Sequence, residues 1–329
     1  MSNVPNFRDR TALVTGAAGF IGSHLVDALL ERGARVKALD NLSTGRRENL
    51  AHCLDRIEFL EGDIRDRGAC REACRDAEIV FHEAALGSVP RSMADPATTI
   101  EVNVTGTANV FAAARDARVR RIVYASSSSV YGDSDRLPKR EAETGRPLSP
   151  YALSKVMDEA LARVFSDCFG MEMIGLRYFN VYGPRQDPNG PYAAVVPRFF
   201  ASCLSGEAPT IHGDGEQSRD FTYVEDAVAA NLLAASAPSS ACGAAYNVAG
   251  GRQTSVNRLA GLVREAGGRG LAPRYEPSRP GDVRHSKADL TLVSERIGYA
   301  PRVEMDEGLE RCRRFYEERS AKISGSPGL

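Results

Sequence analysis

Tyr151 and Lys155 stand four residues apart, a spacing that puts both on one face of a helix. A tyrosine phenol has a reference pKa of about 10 and is a poor base at neutral pH. A neighbouring ammonium favours the phenolate and lowers that value. Tyr–Lys neighbours at this spacing are common on surface helices, so the pair acquires meaning only from its context. Upstream lies the run Ser126-Ser127-Ser128-Ser129, directly after the apolar segment 121–125. Ser127, at the carboxyl end of that expected strand, could hydrogen-bond a substrate oxygen and pass a proton to Tyr151, with Ser128 assisting. A polar strand terminus would also explain four serines. It would not explain why this chain also carries the glycine turn described next.

The elements that must position these residues begin at 11–22, TALVTGAAGFIG. The apolar run Ala12-Leu13-Val14 fits a buried parallel strand, and the amphipathic segment 23–32 fits a helix. Between them stand Gly16, Gly19 and Gly22. Glycine permits turn conformations that a Cβ penalises and lets the backbone approach a phosphate closely. The following helix start offers unpaired N–H groups and a positive dipole end to it. A second apolar run, 34–39, ends in Asp40, where a dinucleotide site places a carboxylate on the adenosine ribose hydroxyls. That carboxylate would repel a 2′-phosphate, so NAD is expected rather than NADP; Arg46 and Arg47 close behind weaken the preference. The polar loop Asn41-Leu42-Ser43-Thr44-Gly45 suits adenosine. A third strand, 57–60, leads to Gly62-Asp63-Ile64; Asp63 could accept from the adenine amino group or cap the next helix. A fourth, 79–82, ends at Glu83-Ala84-Ala85, whose small residues leave room for a cofactor. A helical pattern over 99–118 carries Asn103, and 121–125 is the fifth strand. This alternation implies an α/β, doubly wound parallel (Rossmann) sheet with ligands at the carboxyl ends of its strands. A cationic nicotinamide ring would favour the Tyr151 phenolate further, and Lys155 could hold its ribose.

A polar stretch over 133–150 precedes a helix at about 151–169 and a strand at 173–178 ending in Phe179-Asn180. The pattern then changes. A turn-rich loop spans 183–191, and such loops are usually functional or disordered. Short pieces follow, with Arg219, Arg279 and Asp282 in polar turns; 245–248 is expected to rejoin the main sheet. A chain of 329 residues with net charge −1 and no Trp has no electrostatic footprint for nucleic acid or an anionic membrane and no stacking platform for single strands. No apolar stretch approaches the roughly 20 residues of a membrane span, and the first residues have no apolar run of signal-peptide length. Seven scattered cysteines fit a reduced, cytoplasmic protein. The five histidines fall in no metal-ligand spacing, so no metal is expected.

TGAAGFIG, the serine run with Val130-Tyr131-Gly132, Tyr151-Ala152-Leu153-Ser154-Lys155 and Leu176-Arg177-Tyr178-Phe179-Asn180 resemble the extended short-chain dehydrogenase/reductase superfamily, and within it nucleotide-sugar 4-epimerases. The stretches 82–92 (HEAALGSVPRS), 185–196 and 213–226 are most similar to the bacterial UDP-N-acetylglucosamine 4-epimerase group. The resemblance implies NAD against Gly16, Gly19, Phe20, Ile21, Gly22, Asp40, Asn41, Ser43, Thr44, Gly45, Asp63, Ile64, Ala84, Ala85, Asn103, Ser126, Tyr151, Lys155 and Tyr178. It implies a UDP-sugar against Gly87, Ser88, Ser127, Asn180, Ala194, Val195, Arg219, Arg279, Asp282 and Ser286. Two arginines suit a pyrophosphate. Tyr151 would take the 4-hydroxyl proton while hydride passes from C4 to NAD, with Ser127 and Ser128 in support; the keto sugar would turn over and receive the hydride on its other face. At Ser286 the resembling enzymes have a gate: a bulky Tyr goes with plain hexoses, whereas a small residue leaves space for a 2-acetamido group. The implied layout is an NAD-binding portion over 1–180, with about 222–250, and a smaller mixed α/β substrate portion over 181–329, in a homodimer joined through the Asn103 and Tyr151 helices. Dehydratases of the superfamily carry Asp-Glu where Ser128 and Ser129 stand, and UDP-glucuronate decarboxylases usually carry Glu at Ser129. A uronate epimerase or decarboxylase remains the enzymatic alternative. A non-catalytic NAD sensor or scaffold is the alternative of another class, although such proteins often lose the Tyr or the Lys.

Overall fold

The computed structural model describes residues 5–190, 192–267, 271–278 and 283–324. In chain order the strands are β1 (Thr11–Thr15), β2 (Arg35–Asp40), β3 (Ile57–Glu61), β4 (Ile79–His82), β5 (Arg121–Ser127) and β6 (Glu172–Tyr178), then the short β7 (Val181–Tyr182), β8 (Thr210–His212), β9 (Ser218–Asp220) and β10 (Thr222–Tyr223), the longer β11 (Ala244–Val248), and β12 (Gln253–Ser255) and β13 (Arg274–Glu276). Seven of them make one parallel sheet in the order β11-β6-β5-β4-β1-β2-β3. The strands are near-continuous apolar runs because helices cover both faces. In β1, Ala12 and Val14 pack into the core on one side, while Leu13 packs into the core on the other. The chain winds β1, β2, β3 toward one edge and places β4 on the opposite side of β1. The carboxyl ends of β1 and β4 therefore flank the point where strand order reverses, the place where such sheets bind ligands.

The helices are α1 (Phe20–Glu31), α2 (Arg67–Cys74), α3 (Val89–Ala94), α4 (Pro96–Ile100), α5 (Thr107–Asp116), α6 (Pro150–Phe169), α7 (Val195–Ser205), α8 (Val224–Ser236), α9 (Val256–Gly267), α10 (Thr291–Ile297) and α11 (Met305–Ser324). A π-helical turn, Glu101–Gly106, joins α4 to α5, so the helix expected over 99–118 is a helical run interrupted by that turn. Asp66, rather than Asp63, caps α2, accepting from the Gly68 N–H at 2.6 Å. α6 starts cleanly because Ser149 accepts from the Ala152 N–H and Pro150 occupies its first turn. The sheet is extended by β11 only after the chain has made the pieces from β7 to α8. These pieces, with α9 and α11, enclose a separate apolar cluster around Phe199, Phe200, Leu259 and Leu309. No described helix is long and apolar enough to cross a membrane.

Candidate active site

A cleft of about 1680 Å³ opens along the carboxyl ends of β1, β2, β4, β5 and β6. Ligand pockets commonly measure roughly 300–1,000 Å³, so this one has room for a dinucleotide and a second ligand. Its floor is the turn after β1. Gly16 has φ +67°, and a Cβ there would stand 2.8 Å from the Ala84 backbone. A Cβ on Gly22 would lie 2.1 Å from the Gly16 carbonyl oxygen. The turn and α1 can pack this closely only as glycines. Gly19 precedes α1 without any side-chain cap, which leaves the first N–H groups for an anion. At the end of β2, the Asp40 carboxylate accepts from the Ala18 and Leu42 N–H groups at 2.9 and 2.8 Å. Burial raises its pKa, opposed by those bonds. Arg46 is engaged by Asp187 at 2.5 Å, and Arg47 pairs with Glu61 and lies over the Phe59 ring. Both cations that weakened the NAD preference thus have other partners. The donor pattern and the glycine cradle fit NAD.

The other end of the cleft gathers Ser127, Ser128, Tyr151 and Lys155. β5 delivers the serines: Ser127 Oγ accepts from the Ser129 N–H at 3.1 Å and starts a tight turn through Tyr131. α6 delivers Tyr151 and Lys155. Lys155 Nζ donates to the Ala125 carbonyl at 2.9 Å and to Asp158 at 3.0 Å. Burial pulls the lysine pKa down, but Asp158, Tyr151 and Glu83 outweigh that and hold it above its usual value. The ammonium therefore stays charged beside the phenol. Behind it His82 is fully buried, with Nδ1 at 2.7 Å from Thr15 Oγ1 and Nε2 at 2.9 Å from Thr107 Oγ1. Thr107 donates to the Asn103 carbonyl, so Nε2–H donates to Thr107 and Nδ1 accepts from Thr15. Burial pushes the imidazole down to about 3, keeping it neutral. A second buried network braces the serine turn. Arg177 pairs with Glu159 at 2.8 Å and bonds the Tyr131 hydroxyl at 3.0 Å; Glu159 accepts from Ser126.

The model of the NAD dependent epimerase/dehydratase family matches residues 12–249. The chain belongs to that family. It is 41% identical over 314 residues to the UDP-glucose 4-epimerase of Mycolicibacterium smegmatis, covering 94% of this chain and 99% of that protein. Among solved structures it is similar to the UDP-N-acetylglucosamine 4-epimerase from Methanobrevibacter ruminantium M1 in complex with UDP-N-acetylmuramic acid (38% identity, 95% of this chain and 99% of that one, TM-score 0.90). It is also similar to the Thermus thermophilus UDP-glucose 4-epimerase in complex with NAD (37% identity, 93% of this chain and 99% of that one, TM-score 0.84).

In this family member Gly16, Gly19, Phe20, Ile21, Gly22, Asp40, Asn41, Ser43, Thr44, Gly45, Asp63, Ile64, Ala84, Ala85, Ser126 and Tyr178 line the cleft together, as do Gly87, Asn180, Ala194, Arg219 and Ser286. Three expected contacts stand apart, Asn103, Ser88 and Val195, and a fourth, Asp63, is engaged by its neighbours. Asn103 sits behind the wall in the π-helical turn: it accepts from the Leu86 N–H at 2.8 Å and donates to Ser154 at 3.0 Å, tying the loop after β4 to α6. Ser88 caps α3 by accepting from the Arg91 N–H. Val195 begins α7 and packs into the cluster around Phe199. Asp63 does line the cleft, but Arg65 and Asn41 hold its carboxylate and lower its pKa to about 2, with Arg65 the main cause. Arg279 and Asp282 lie outside the described residues. Glu83, Arg91 and Lys139 are among the lining residues not chosen as contacts from the sequence. The Tyr178 hydroxyl donates to Glu83 at 2.8 Å, and burial raises that carboxyl to about 7. Away from the cleft, Asp27, His52 and Cys53 bring donor atoms within 4.8 Å of one another, and Arg185 pairs with Asp27 at 2.7 Å.

Proposed function

We propose that this UDP-sugar 4-epimerase interconverts UDP-GlcNAc and UDP-GalNAc and also accepts UDP-Glc and UDP-Gal. The observation that carries the reading is the juxtaposition of Tyr151, Lys155 and Ser127 at the end of a two-ligand cleft whose far wall presents Ser286, a small side chain that is 9% exposed. When bound, NAD supplies the hydride acceptor and return donor at C4. Tyr151 is the base for the 4-hydroxyl proton, and Lys155, kept charged by Asp158, stabilises its phenolate. Ser127 hydrogen-bonds the sugar oxygen. Ser128 and Ser129 offer no acid to expel a 6-hydroxyl, which supports epimerisation over dehydration. Arg219, on β9 and in the cleft lining, is the cation to hold the diphosphate, so that the nucleotide anchors the substrate while the sugar turns. A 2-acetamido group must turn with the ring and needs space in both orientations; serine at 286 leaves it. Ser286→Tyr is expected to suppress turnover of the acetylated pair and spare the plain pair. Steady-state kcat/KM for all four sugars decides it: an unchanged ratio between the pairs removes Ser286 as the gate.

A further inference from the structure

Lys139 is anomalous. It is 4% exposed, yet among the described residues no carboxylate lies within ion-pair distance of it, and its ammonium finds the Ser134 carbonyl as acceptor. An ammonium has three donors, and burying one without full compensation is costly. Burial lowers its pKa, partly offset by Asp135. The backbone around it is fixed: Lys139 N–H donates to the Lys287 carbonyl at 2.7 Å, and its carbonyl accepts from Asp289 N–H and from the Asn247 amide, both at 2.9 Å. Lys139 bridges Ala288 in parallel register. Ser286 is two residues before Ala288, so the two side chains project from the same side of this short ladder. Both line the cleft. The wall that leaves space at Ser286 therefore also carries a buried cation with donors to spare.

We propose that Lys139 is a specificity-determining residue that donates a hydrogen bond to the acyl carbonyl oxygen of a 2-acetamido sugar. This rests on the substrate reading above. A carbonyl two bonds beyond C2 reaches a donor set in the wall, where a 2-hydroxyl falls short. Ser286 supplies space and Lys139 supplies the polar partner, so the wall selects for the acyl group rather than merely tolerating it.

The test uses NAD-loaded protein. Lys139→Met keeps the length and removes the donors. It is expected to lower kcat/KM for UDP-GlcNAc roughly 10- to 150-fold, the range for a hydrogen bond from a charged donor, while UDP-Glc changes little and melting temperature and NAD content hold. Equal falls for both sugars, or none, overturn the proposal, because a structural role cannot separate them. Equilibrium dialysis of UDP-GlcNAc and UDP-Glc covers a wild type that fails to turn over the acetylated sugar: a selective loss of UDP-GlcNAc binding in the variant upholds Lys139 while the epimerisation reading fails, and no selective loss overturns it. Should the variant not fold, wild-type protein is probed with UDP-glucosamine, which lacks the acyl oxygen. Binding weaker than UDP-GlcNAc supports the proposal, and equal binding overturns it.

Discussion

Single side chains here are set by what lies beneath them. Tyr151 reaches the cleft on a helix whose second turn is pinned by Lys155 to the β5 backbone, so the proposed base and its cation move together. Tyr151→Phe is expected to cut epimerisation roughly 10²–10⁴-fold, the usual contribution of a positioned base, with NAD content unchanged; near-normal turnover would remove Tyr151 from the reaction. Glu83 carries a different consequence. Burial raises its carboxyl from 4.5 to about 7, against the pull of Tyr178, Lys155 and Asn231. The folded state then binds a proton that the unfolded state has lost between those values, so this group costs stability as pH rises from about 4.5 to about 7. Buried His82 and His24, with lowered values, act in the opposite direction over part of that range. The contribution is therefore isolated by difference: the melting temperature of Glu83→Gln minus that of wild type should increase between pH 4.5 and 8. A difference flat with pH would show that Glu83 ionises normally.

At the level of elements, the close contact of the β1 turn with α1 depends on two missing side chains. Gly22→Ala places a methyl 2.1 Å from the Gly16 oxygen. Backbone must shift, at a cost of roughly 1–3 kcal/mol, and the shift falls on the phosphate cradle. Purified Gly22→Ala should melt lower and carry less NAD on heat extraction; full NAD content would show that the turn yields without harm to the site. This turn was readable in the sequence because glycine spacing and apolar runs are local signals. So were the six strands that lead the sheet and the Tyr151 helix, although its Ser149 cap was not. What was not readable depended on distant partners. Asn103 has the composition of a ligand contact, but α6 supplies Ser154 as its partner, 51 residues away. Ser88 reads equally as a contact or a cap, and only the chain direction after it shows that it caps α3. Lys139 gives no signal in a polar stretch; its burial comes from a ladder with residues 287–289, more than 140 positions on. Glu83 looks like a strand-end polar residue until Tyr178 and Asn231 close over it.

For the molecule as a whole, α6 turns a second face outward, where Leu153, Met157 and Val164 are 42%, 37% and 52% exposed. Their spacing of four and seven makes one stripe, and an apolar stripe beside the π-helical turn and α5 suits a partner copy. The proposed homodimer through these helices predicts that Leu153→Glu with Met157→Glu gives a monomer by light scattering, whereas wild type runs as a dimer; a monomeric wild type would end that proposal. The position of β11 reaches further. The chain leaves the sheet after β6, builds everything between residues 179 and 243, and returns as the strand hydrogen-bonded to β6 itself. That excursion begins and ends on adjacent strands and serves two layers: α7 joins the separate apolar cluster with α9 and α11, while α8 packs into the core of the main sheet. With α8 fastening the excursion to the sheet core, the proposed role of the wall bearing Lys139 and Ser286 puts sugar preference within reach of point replacements there, with the sheet left as it is.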